Sequence, residues 1–385
     1  MTQPEVSISV DLRHSHSHAV RDHNRAMVVD TFSRLDEIER LEARWRELYA
    51  ADSRANFFLC WEYMRACLAT ERIPWLVLGV REGDGPYLAF LALNYGSFPA
   101  IGPTVNRELS LAGIPRSDYT GMLALSGAEA RVIPALARHI DALPWDNFTL
   151  NDYLDERIAM LVGEFSPDRY TITPAAPTPS PYVELPATWE EYVGSRSFAT
   201  KRTLRAKVRK VEALPGYRFR FAPREEAAEA VDMLLRINSA RWKKNLEKRR
   251  RIFGDLFGRC YDSGRFVVAT IHDGETLLAA QGSFLEPSSR TLLGYMMGYN
   301  PEFSRLSPGA VLVALSIRHA IENGFRRYDF ARGGEDFKLS LCTDVKYTSH
   351  TKLTRRGLKV AAINAGRSGF VAAKGIARTL LRRSA

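Results

Sequence analysis

Hydrophobic residues recur with two different periods along the chain, and this pattern predicts a mixed α/β fold. Met27 to Phe32 has the composition of a strand, and apolar residues from Leu35 to Ala50 recur at helical spacing. Two further apolar runs, Trp75 to Val80 and Tyr87 to Leu93, flank Gly83-Asp84-Gly85, which predicts a hairpin. Strands and helices of this kind usually pack as layers around one core.

The second half of the chain repeats this order of elements. The predicted helices lie at about 188–213, 225–246 and 250–262. A hairpin is expected around Asp273-Gly274, at the place that Asp84-Gly85 occupies in the first half. Asn151-Asp152 and Asp329 each follow a short apolar strand at corresponding places. We therefore predict an α/β protein with a mixed sheet, built as a tandem of two similar domains.

Changes in composition mark the predicted boundaries between these domains. The proline-dense run from Pro174 to Pro181 is expected to be neither a central strand nor a helix, because proline lacks a backbone N–H. The predicted segments are a disordered histidine-containing tail (1–26), an N-terminal domain (27–172), a proline-rich linker (173–181), a C-terminal domain (182–355) and a basic amphipathic tail (356–385).

The net charge of +10 belongs mainly to the end of the chain. Residues 351–385 contain nine basic residues and no acid, which leaves about +1 for the rest. A general nucleic-acid-binding protein is therefore not indicated, and no DNA partner is expected. The tail also has apolar residues at partly helical spacing. It is either a solvated tail or a segment that lies on an anionic membrane surface or contacts a membrane-bound polysaccharide synthase.

Two internal segments are also strongly basic. Residues 196–210 and 241–251 each contain seven Lys or Arg residues, with one acid between them, Glu247. The interpretation without a binding function is a helix face exposed to solvent. The functional alternative is attraction of a polyanion, such as the phosphates of a cofactor, an acidic glycan or tRNA.

Cysteine usage and hydropathy indicate a cytoplasmic protein. Cys60, Cys67, Cys260 and Cys342 form no C-x-x-C pair, which is typical of reduced, mostly buried cysteines. No signal-peptide core and no apolar run long enough to span a bilayer is evident. The histidine run at 14–23 is interpreted as tail rather than as a metal site, and no metal is expected.

The segment from Tyr295 to Lys338 has the pattern of one complete ligand-binding unit. An aromatic strand ends at Tyr299, a helix begins after Ser307, and a second strand brings Asp329 to a polar loop. Ser307 is expected to cap the helix with its hydroxyl, and Pro308 suits the first helical position. Free amides at such a start can bind phosphate, although the same residues also begin ordinary helices.

Three motifs in this unit resemble one known family. They are Tyr295-x-x-x-Tyr299-x-Pro301, Ser307-Pro308-Gly309 and Tyr328-Asp329-Phe330-x-x-Gly333-x-Glu335-x-x-Lys338. Together they look like the CelD-like acetyltransferases of the GNAT superfamily, which are associated with bacterial cellulose and exopolysaccharide synthesis and are related to FemAB-type double-GNAT proteins. The resemblance is strongest over about 180–355 and weaker over about 30–172.

The resemblance implies an acyl-CoA co-substrate held by the second domain alone. In GNAT proteins an (Arg/Gln)-x-x-Gly-x-(Gly/Ala) turn binds the pyrophosphate. Arg305 and Ala310 match its first and last positions, and Pro308 replaces the first glycine. The expected cofactor-binding residues are thus Arg305, Ser307, Pro308, Gly309 and Ala310.

The implied reaction is direct acyl transfer, with acetyl the expected group, to an amine or hydroxyl of a saccharide or sugar-nucleotide precursor. Asp329 is the first candidate base and Glu335 the second, while Tyr295 or Tyr299 would protonate the thiolate. The expected substrate-binding residues are Arg241, Trp242, Asp118, Tyr119, Arg332 and Lys338. Alternatively, Asp329 only forms an ion pair with Arg326 or Arg332, and the tyrosines only pack in the sheet.

Two other functions remain open from the sequence. One is a FemAB-like aminoacyl-tRNA-dependent transferase, against which the lack of a long heptad-bearing arm argues. The other is a non-catalytic accessory protein of a membrane polysaccharide synthase, which would bind through the basic tail.

Overall fold

A computed structural model of the chain describes residues 26–70, 73–98, 106–357 and 360. The strands are Met27–Phe32 (β1), Trp75–Glu82 (β2), Tyr87–Phe98 (β3), Asn106–Leu111 (β4), Leu123–Ala124 (β5), Asn147–Tyr153 (β6), Tyr170–Glu184 (β7), Tyr217–Phe221 (β8), Phe266–Asp273 (β9), Thr276–Glu286 (β10), Thr291–Tyr299 (β11), Arg327–Asp329 (β12) and Asp344–Arg355 (β13). The predicted N-terminal tail and nearly all of the basic C-terminal tail lie outside the described residues.

The described helices alternate with these strands. They are Leu35–Glu39 (α1), Glu42–Ala51 (α2), Trp61–Thr70 (α3), Glu129–Ala142 (α4), Glu156–Gly163 (α5), Trp189–Gly194 (α6), Phe198–Glu212 (α7), Ala227–Trp242 (α8), Leu246–Asp262 (α9), Pro308–Glu322 (α10) and Asp336–Leu341 (α11), with 3-10 turns at Phe57–Leu59, Arg224–Glu226 and Pro301–Leu306. The predicted helices 35–50 and 188–213 are each broken into two. The second break occurs because Thr188 and Ser197 each cap a new helix start.

All the described strands join one mixed sheet, as predicted. The order is β1-β2-β3-β4-β6-β13-β7-β12-β11-β10-β9-β8, with β5 paired to β3. The order is pseudo-symmetric about its centre: β4 runs parallel to β6, and β11 runs parallel to β12. Both predicted hairpins are present, between β2 and β3 and between β9 and β10. The sheet is therefore two α/β units joined side by side.

The proline-rich segment is a strand, so its assignment as an irregular linker was wrong. Residues 173–181 lie within β7, which pairs with β13 along most of its length. On its other edge β7 meets β12 only at Tyr182–Glu184. The carbonyls of Pro179 and Pro181 point to that edge, where they accept from Gly333 and Phe330. Because the missing proline N–H groups face the same side, no ladder hydrogen bond is lost.

The two central strands are exchanged between the halves of the chain. β7, which follows the first half, pairs with β12 of the second half. β13, at the end of the second half, pairs with β6 of the first half and also with β7. The division into domains at 27–172 and 182–355 stays a prediction, and strand pairing crosses it in both directions.

An aromatic cluster packs the two halves against each other next to the ligand-binding unit. Phe57 stacks on Phe284 with ring centroids 4.3 Å apart, and Phe284 lies 4.9 Å from Tyr295. Phe257 of α9 contacts the same rings. This packing holds α8, α9 and β11 in fixed positions relative to the first half.

The described part of the chain has neither a membrane-spanning helix nor a cluster of metal-binding side chains. None of its helices is long and apolar enough to cross a bilayer. Within the same residues, no group of three or more His, Cys, Asp or Glu side chains is placed to hold a metal ion. All four cysteines are free, three of them buried.

Candidate functional site

The strands β11 and β12 separate at the centre of the second half, and a cavity of about 430 Å³ lies in the opening. They pair in parallel only over Thr291 to Leu293 of β11 and Arg327 to Asp329 of β12. Beyond that point the cavity is lined on one side by β11 and on the other by the loop after β12. Six predicted site residues line it: Tyr295, Trp242, Asp118, Arg332, Glu335 and Lys338.

A β-bulge in β11 forms part of the cavity wall. Ser283 of β10 pairs with Gly294 and Gly282 pairs with Met296, so Tyr295 is an extra residue without a partner on β10. Its hydroxyl donates to the carbonyl oxygen of Arg116 over 2.6 Å. Burial raises the pKa of Tyr295 above its ordinary value. The phenol is therefore committed to a structural bond, and the bulge places Tyr295 in the wall of the opening.

The start of α10 lies beside this opening, but Ser307 does not cap it as predicted. Ser307 occupies the N-cap position in the left-handed region, with φ of 52°, and its side chain makes no capping hydrogen bond. Pro308 sits at the first helical position, as expected. Gly309 packs closely on β11, since a Cβ there would lie 3.3 Å from Met297 and Tyr299. The first-turn amides therefore do not have the serine hydroxyl as an acceptor.

The remaining predicted cofactor residues lie around the same helix start. Ala310 lines a second cavity of about 290 Å³, together with Thr200 and Lys207 of the basic helix α7. Phe337 lines both this cavity and the larger one, so it lies between them. Arg305 is exposed in the 3-10 turn that precedes α10. Of these residues Ala310 lines the smaller cavity, whereas Ser307, Pro308 and Gly309 line neither of the two.

Asp329 ends β12 but does not line the larger cavity. Its side chain is buried and accepts from the Tyr119 hydroxyl at 2.7 Å, the Ala331 amide at 2.7 Å and the Lys346 ammonium at 2.6 Å. The ion-pair partner is thus Lys346, not Arg326 or Arg332 as the alternative expectation had it. A carboxylate with three partners behind the cavity wall is poorly placed to take a proton from a substrate.

Arg332 and Lys338 line the cavity with their charges already engaged. Arg332 forms ion pairs with Asp152, and with Asp118 at 3.4 Å. The Lys338 ammonium donates to the Arg332 carbonyl at 2.8 Å and lies 3.0 Å from Glu335. Glu335 is 58% exposed at the rim. These cations mainly hold the loop after β12 in place.

Asp118 is the carboxyl group inside the cavity whose protonation is most altered. Its side chain is 16% exposed. Burial raises the pKa of Asp118 to about 7, although the nearby Arg332 cation opposes that rise. A carboxyl group with this pKa exchanges protons readily near neutral pH, as a general base must. The sequence placed Asp118 among substrate-binding residues and contained no sign of this shift.

Arg241 and Trp242 end α8 at the mouth of the cavity. The Arg241 guanidinium carbon lies 4.8 Å from the Trp242 ring and 4.7 Å from the ring of Tyr299. Trp242 lines the cavity and is 57% exposed. Tyr299 thus stacks on the Arg241 guanidinium. Tyr119 does not line the cavity and instead donates a hydrogen bond to Asp329.

Sequence reasoning did not single out two other polar residues of the cavity. Arg249 of α9 lies in the second basic cluster, and burial lowers the pKa of its guanidinium below the ordinary value. Asn238 of α8 donates from Nδ2 to the Met297 carbonyl at 2.7 Å. Within the described chain, the buried atoms Arg249 Nε and Asn238 Oδ1 have no hydrogen-bond partner. Both residues belong to helices that the pattern predicted, but nothing in it shows which face meets the cavity.

Comparison with known proteins identifies the family of part of the chain and structures that share its fold. Residues 199–339 match the family of the acetyltransferase (GNAT) domain. No curated protein matches the chain in a sequence search. Among solved structures, FemX aligns with a TM-score of 0.56 and 10% identity, covering 82% of this chain and 96% of that one.

Two further solved structures have the same fold. L-PGS from Bacillus licheniformis gives a TM-score of 0.51 at 14% identity, covering 86% of this chain and 96% of its own. A conserved protein of unknown function from Bacteroides thetaiotaomicron gives 0.52 at 11% identity, covering 86% and 100%. At these identities the likeness concerns the fold. The family match makes residues 199–339 a GNAT-type acetyltransferase domain, which supports an acyltransferase activity.

Proposed function

We propose that this GNAT-type acyltransferase uses acyl-CoA, with acetyl-CoA as the preferred donor, and binds it in the opening between β11 and β12. The observation that carries the proposal is the separation of these parallel strands directly beside the start of α10. The uncapped first turn of α10 would hold the pyrophosphate, because free amides and the helix dipole favour an anion there. The thioester would then lie along β11 in the larger cavity.

The residues of the cavity supply a direct transfer. Asp118 takes a proton from the acceptor amine or hydroxyl, whose lone pair attacks the thioester carbonyl carbon. The backbone at the Tyr295 bulge stabilises the negative charge that develops on the carbonyl oxygen. The C–S bond then breaks, and CoA leaves as a thiolate that takes a proton from solvent. In this proposal the general base is Asp118 and not the first candidate, Asp329, because Asp118 lines the cavity.

The acceptor we propose is a saccharide or sugar-nucleotide precursor of an envelope polysaccharide. This part rests on the three CelD-like motifs between Tyr295 and Lys338. A basic tail after residue 355 would suit an enzyme that works beside a membrane-bound synthase. The acceptor and the partner are thus supported by resemblance, whereas the donor is supported by the cavity.

Calorimetric titration with acetyl-CoA tests the donor. The full chain should bind with a Kd of about 1 to 100 μM. Gly309→Asp should weaken binding by at least about 10-fold, because a carboxylate at the helix start repels phosphate. The matched control is Gly258→Asp on α9, which has no neighbouring atom within 4 Å of its Cβ position. If both variants bind acetyl-CoA equally well, the cofactor does not bind at the start of α10.

The same titration decides between the alternatives. If acetyl-CoA, a longer acyl-CoA and free CoA all fail to bind, the acyl-CoA proposal is wrong. Tight binding of aminoacyl-tRNA in their absence would then select the FemAB-like function. If Asp118→Asn and Asp329→Asn both keep normal function in cells while deletion of 356–385 abolishes it, the protein acts as an accessory subunit.

A further inference from the structure

Arg249 lines the larger cavity with a partly buried guanidinium, and no carboxylate of the described residues forms an ion pair with it. Its Nη2 contacts the sulfur of Met296 at 3.4 Å, and its guanidinium carbon lies 5.0 Å from the Phe253 ring. Its Nε is buried and has no hydrogen-bond partner in the described structure. The next residue on the same helix, Arg250, forms ion pairs with both Asp232 and Glu247. The contrast shows that carboxylates are available on this surface but do not reach Arg249.

An unneutralised buried cation is costly unless something pairs with it. A sulfur atom and an aromatic ring are weak partners for a guanidinium compared with a carboxylate. Burial accordingly lowers the pKa of Arg249, which means that the charged form is destabilised where it stands. An anion that entered the cavity would relieve this cost, and within the described structure no other acceptor competes for the Nε–H.

The position of Arg249 separates this anion from the phosphates of the donor. Met297 packs on Gly309 at the start of α10, where the donor is proposed to bind. Met296, the neighbour of Arg249, belongs to the cluster formed with α8 and α9. Successive side chains of a strand point to opposite faces of the sheet. Arg249 therefore serves the side of the opening that faces the acceptor.

A second unpaired atom belongs to another residue of the cavity wall and has the opposite polarity. Asn238 Oδ1 is a buried acceptor without a donor, because Nδ2 is the atom that meets the Met297 carbonyl. A ligand that satisfies both residues must offer an N–H or O–H to Asn238 and an anionic oxygen to Arg249. Asp118, on the wall of the same cavity, is then available for the proton of the attacking group.

We infer that the acceptor carries a carboxylate, which Arg249 binds, in addition to the amine or hydroxyl that is acylated. One guanidinium carries one positive charge, so it can neutralise a carboxylate, whereas a doubly charged phosphate monoester would keep an uncompensated charge in a partly buried site. Among the other cations of α8 and its end in the described residues, Lys244 lines the cavity but is exposed, and Arg241 at the mouth is stacked on the rings of Trp242 and Tyr299. This inference rests on the proposed function, since it names the acceptor class for the same cavity.

The test is an NMR titration of the full chain that follows the side-chain Nε–H signal of Arg249. Arg249→Lys, which keeps the charge and lacks Nε, assigns the signal. Acetate should shift it saturably, and the neutral isostere acetamide should not. The inference is overturned if acetate produces no saturable shift, or if acetamide shifts the signal equally. Tighter binding of inorganic phosphate than of acetate also overturns the carboxylate assignment.

A kinetic comparison extends the test to the acceptor. CoA release from acetyl-CoA is measured with pairs of a sugar acid and the corresponding neutral sugar. The carboxylate-bearing member should be preferred in kcat/KM by about 10- to 100-fold, and Arg249→Gln should remove that preference. Arg251→Gln, an exposed residue of the same helix, is the matched control and should retain it.

The two proposals fail in different ways. Normal acetyl-CoA binding without an acetate response overturns the carboxylate inference alone. A saturable acetate response without any acyl-CoA binding overturns the donor assignment and leaves an anion site at Arg249.

Discussion

Tyr119 donates a hydrogen bond to Asp329 over 2.7 Å and so joins a loop of the first half of the chain to the end of β12 in the second. The reciprocal contact is the ion pair between Arg332, which follows β12, and Asp152 at the end of β6. Each half thus supplies the partner for the strand-end carboxylate of the other. The cavity beside β12 depends on both halves for its shape.

Replacing Tyr119 by phenylalanine tests how much this link contributes. Tyr119→Phe keeps the ring in contact with Phe58 but removes one hydrogen bond from a buried carboxylate. We expect the free energy of unfolding to fall by about 1 to 3 kcal/mol. The control is Tyr347→Phe, at a tyrosine that is 59% exposed, with a change within about 0.5 kcal/mol. Urea unfolding measures both, and equal effects would contradict the prediction.

Lys346 and Asp329 should behave as a coupled pair. Lys346→Met leaves a buried carboxylate without its cation and should lower the free energy of unfolding by about 2 to 3 kcal/mol. This loss is smaller than for a fully buried ion pair, because the lysine is partly exposed. The double variant Lys346→Met/Asp329→Asn should be more stable than Lys346→Met alone, since it removes the stranded charge. Additive losses in urea unfolding would show that the two side chains are not coupled.

The raised pKa of Asp118 predicts the pH dependence of catalysis. The carboxylate is the active form of a base, so kcat/KM should rise with pH through about 7 and level off above it. Asp118→Asn should lower kcat by about 100-fold or more and remove this acidic limb. Asp329→Asn should keep the limb, whatever its effect on stability. If Asp329→Asn removes the limb and Asp118→Asn does not, the base is Asp329.

The same pKa also predicts a stability difference. Because the folded pKa of Asp118 lies above the unfolded value of about 3.9, the protonated form is favoured by folding. This contribution is present below about pH 4 and is lost as pH rises through about 7. The stability of Asp118→Asn relative to the natural protein should therefore increase over that interval. Urea midpoints at several pH values measure it, and a constant difference would refute the raised pKa.

Gly298 should not tolerate a side chain, although many glycines of this chain would. A Cβ at Gly298 would lie 2.6 Å from backbone atoms of Ile237 and Asn238, so β11 and α8 would have to move apart. We expect Gly298→Ala to cost at least about 2 kcal/mol. Gly258→Ala in α9 meets nothing within 4 Å and should stabilise by about 0.5 to 1 kcal/mol. Thermal unfolding of the two variants should therefore shift in opposite directions.

Local chemistry predicted the elements that depend on it. The turns at Gly83-Asp84-Gly85 and Asp273-Gly274 were found as hairpins, because glycine and aspartate favour tight turns wherever they occur. The start of α10 at Pro308 was found for a similar reason. The cap by Ser307 failed, because Ser307 has a left-handed backbone, whereas a capping residue normally has an extended one.

Features that depend on distant residues were not accessible from local pattern. The rule that excludes proline from a doubly paired strand holds for β7, but the shortness of β12 leaves the proline-rich part of β7 paired on one edge only. Asp329 meets Lys346 through a strand that returns from the end of the second half. The burial that shifts Asp118 and exposes Arg249 to the cavity arises from packing between the halves.

The exchange of β7 and β13 affects how the chain folds during its synthesis. When the first half leaves the ribosome, β6 has no partner on the edge that β13 will cover, because β13 is about 190 residues later in the chain. That open edge would be exposed for about 10 to 40 s at ordinary translation rates. During this period the nascent chain is vulnerable to wrong strand pairing. The period ends only when Asp344–Arg355 leaves the ribosome.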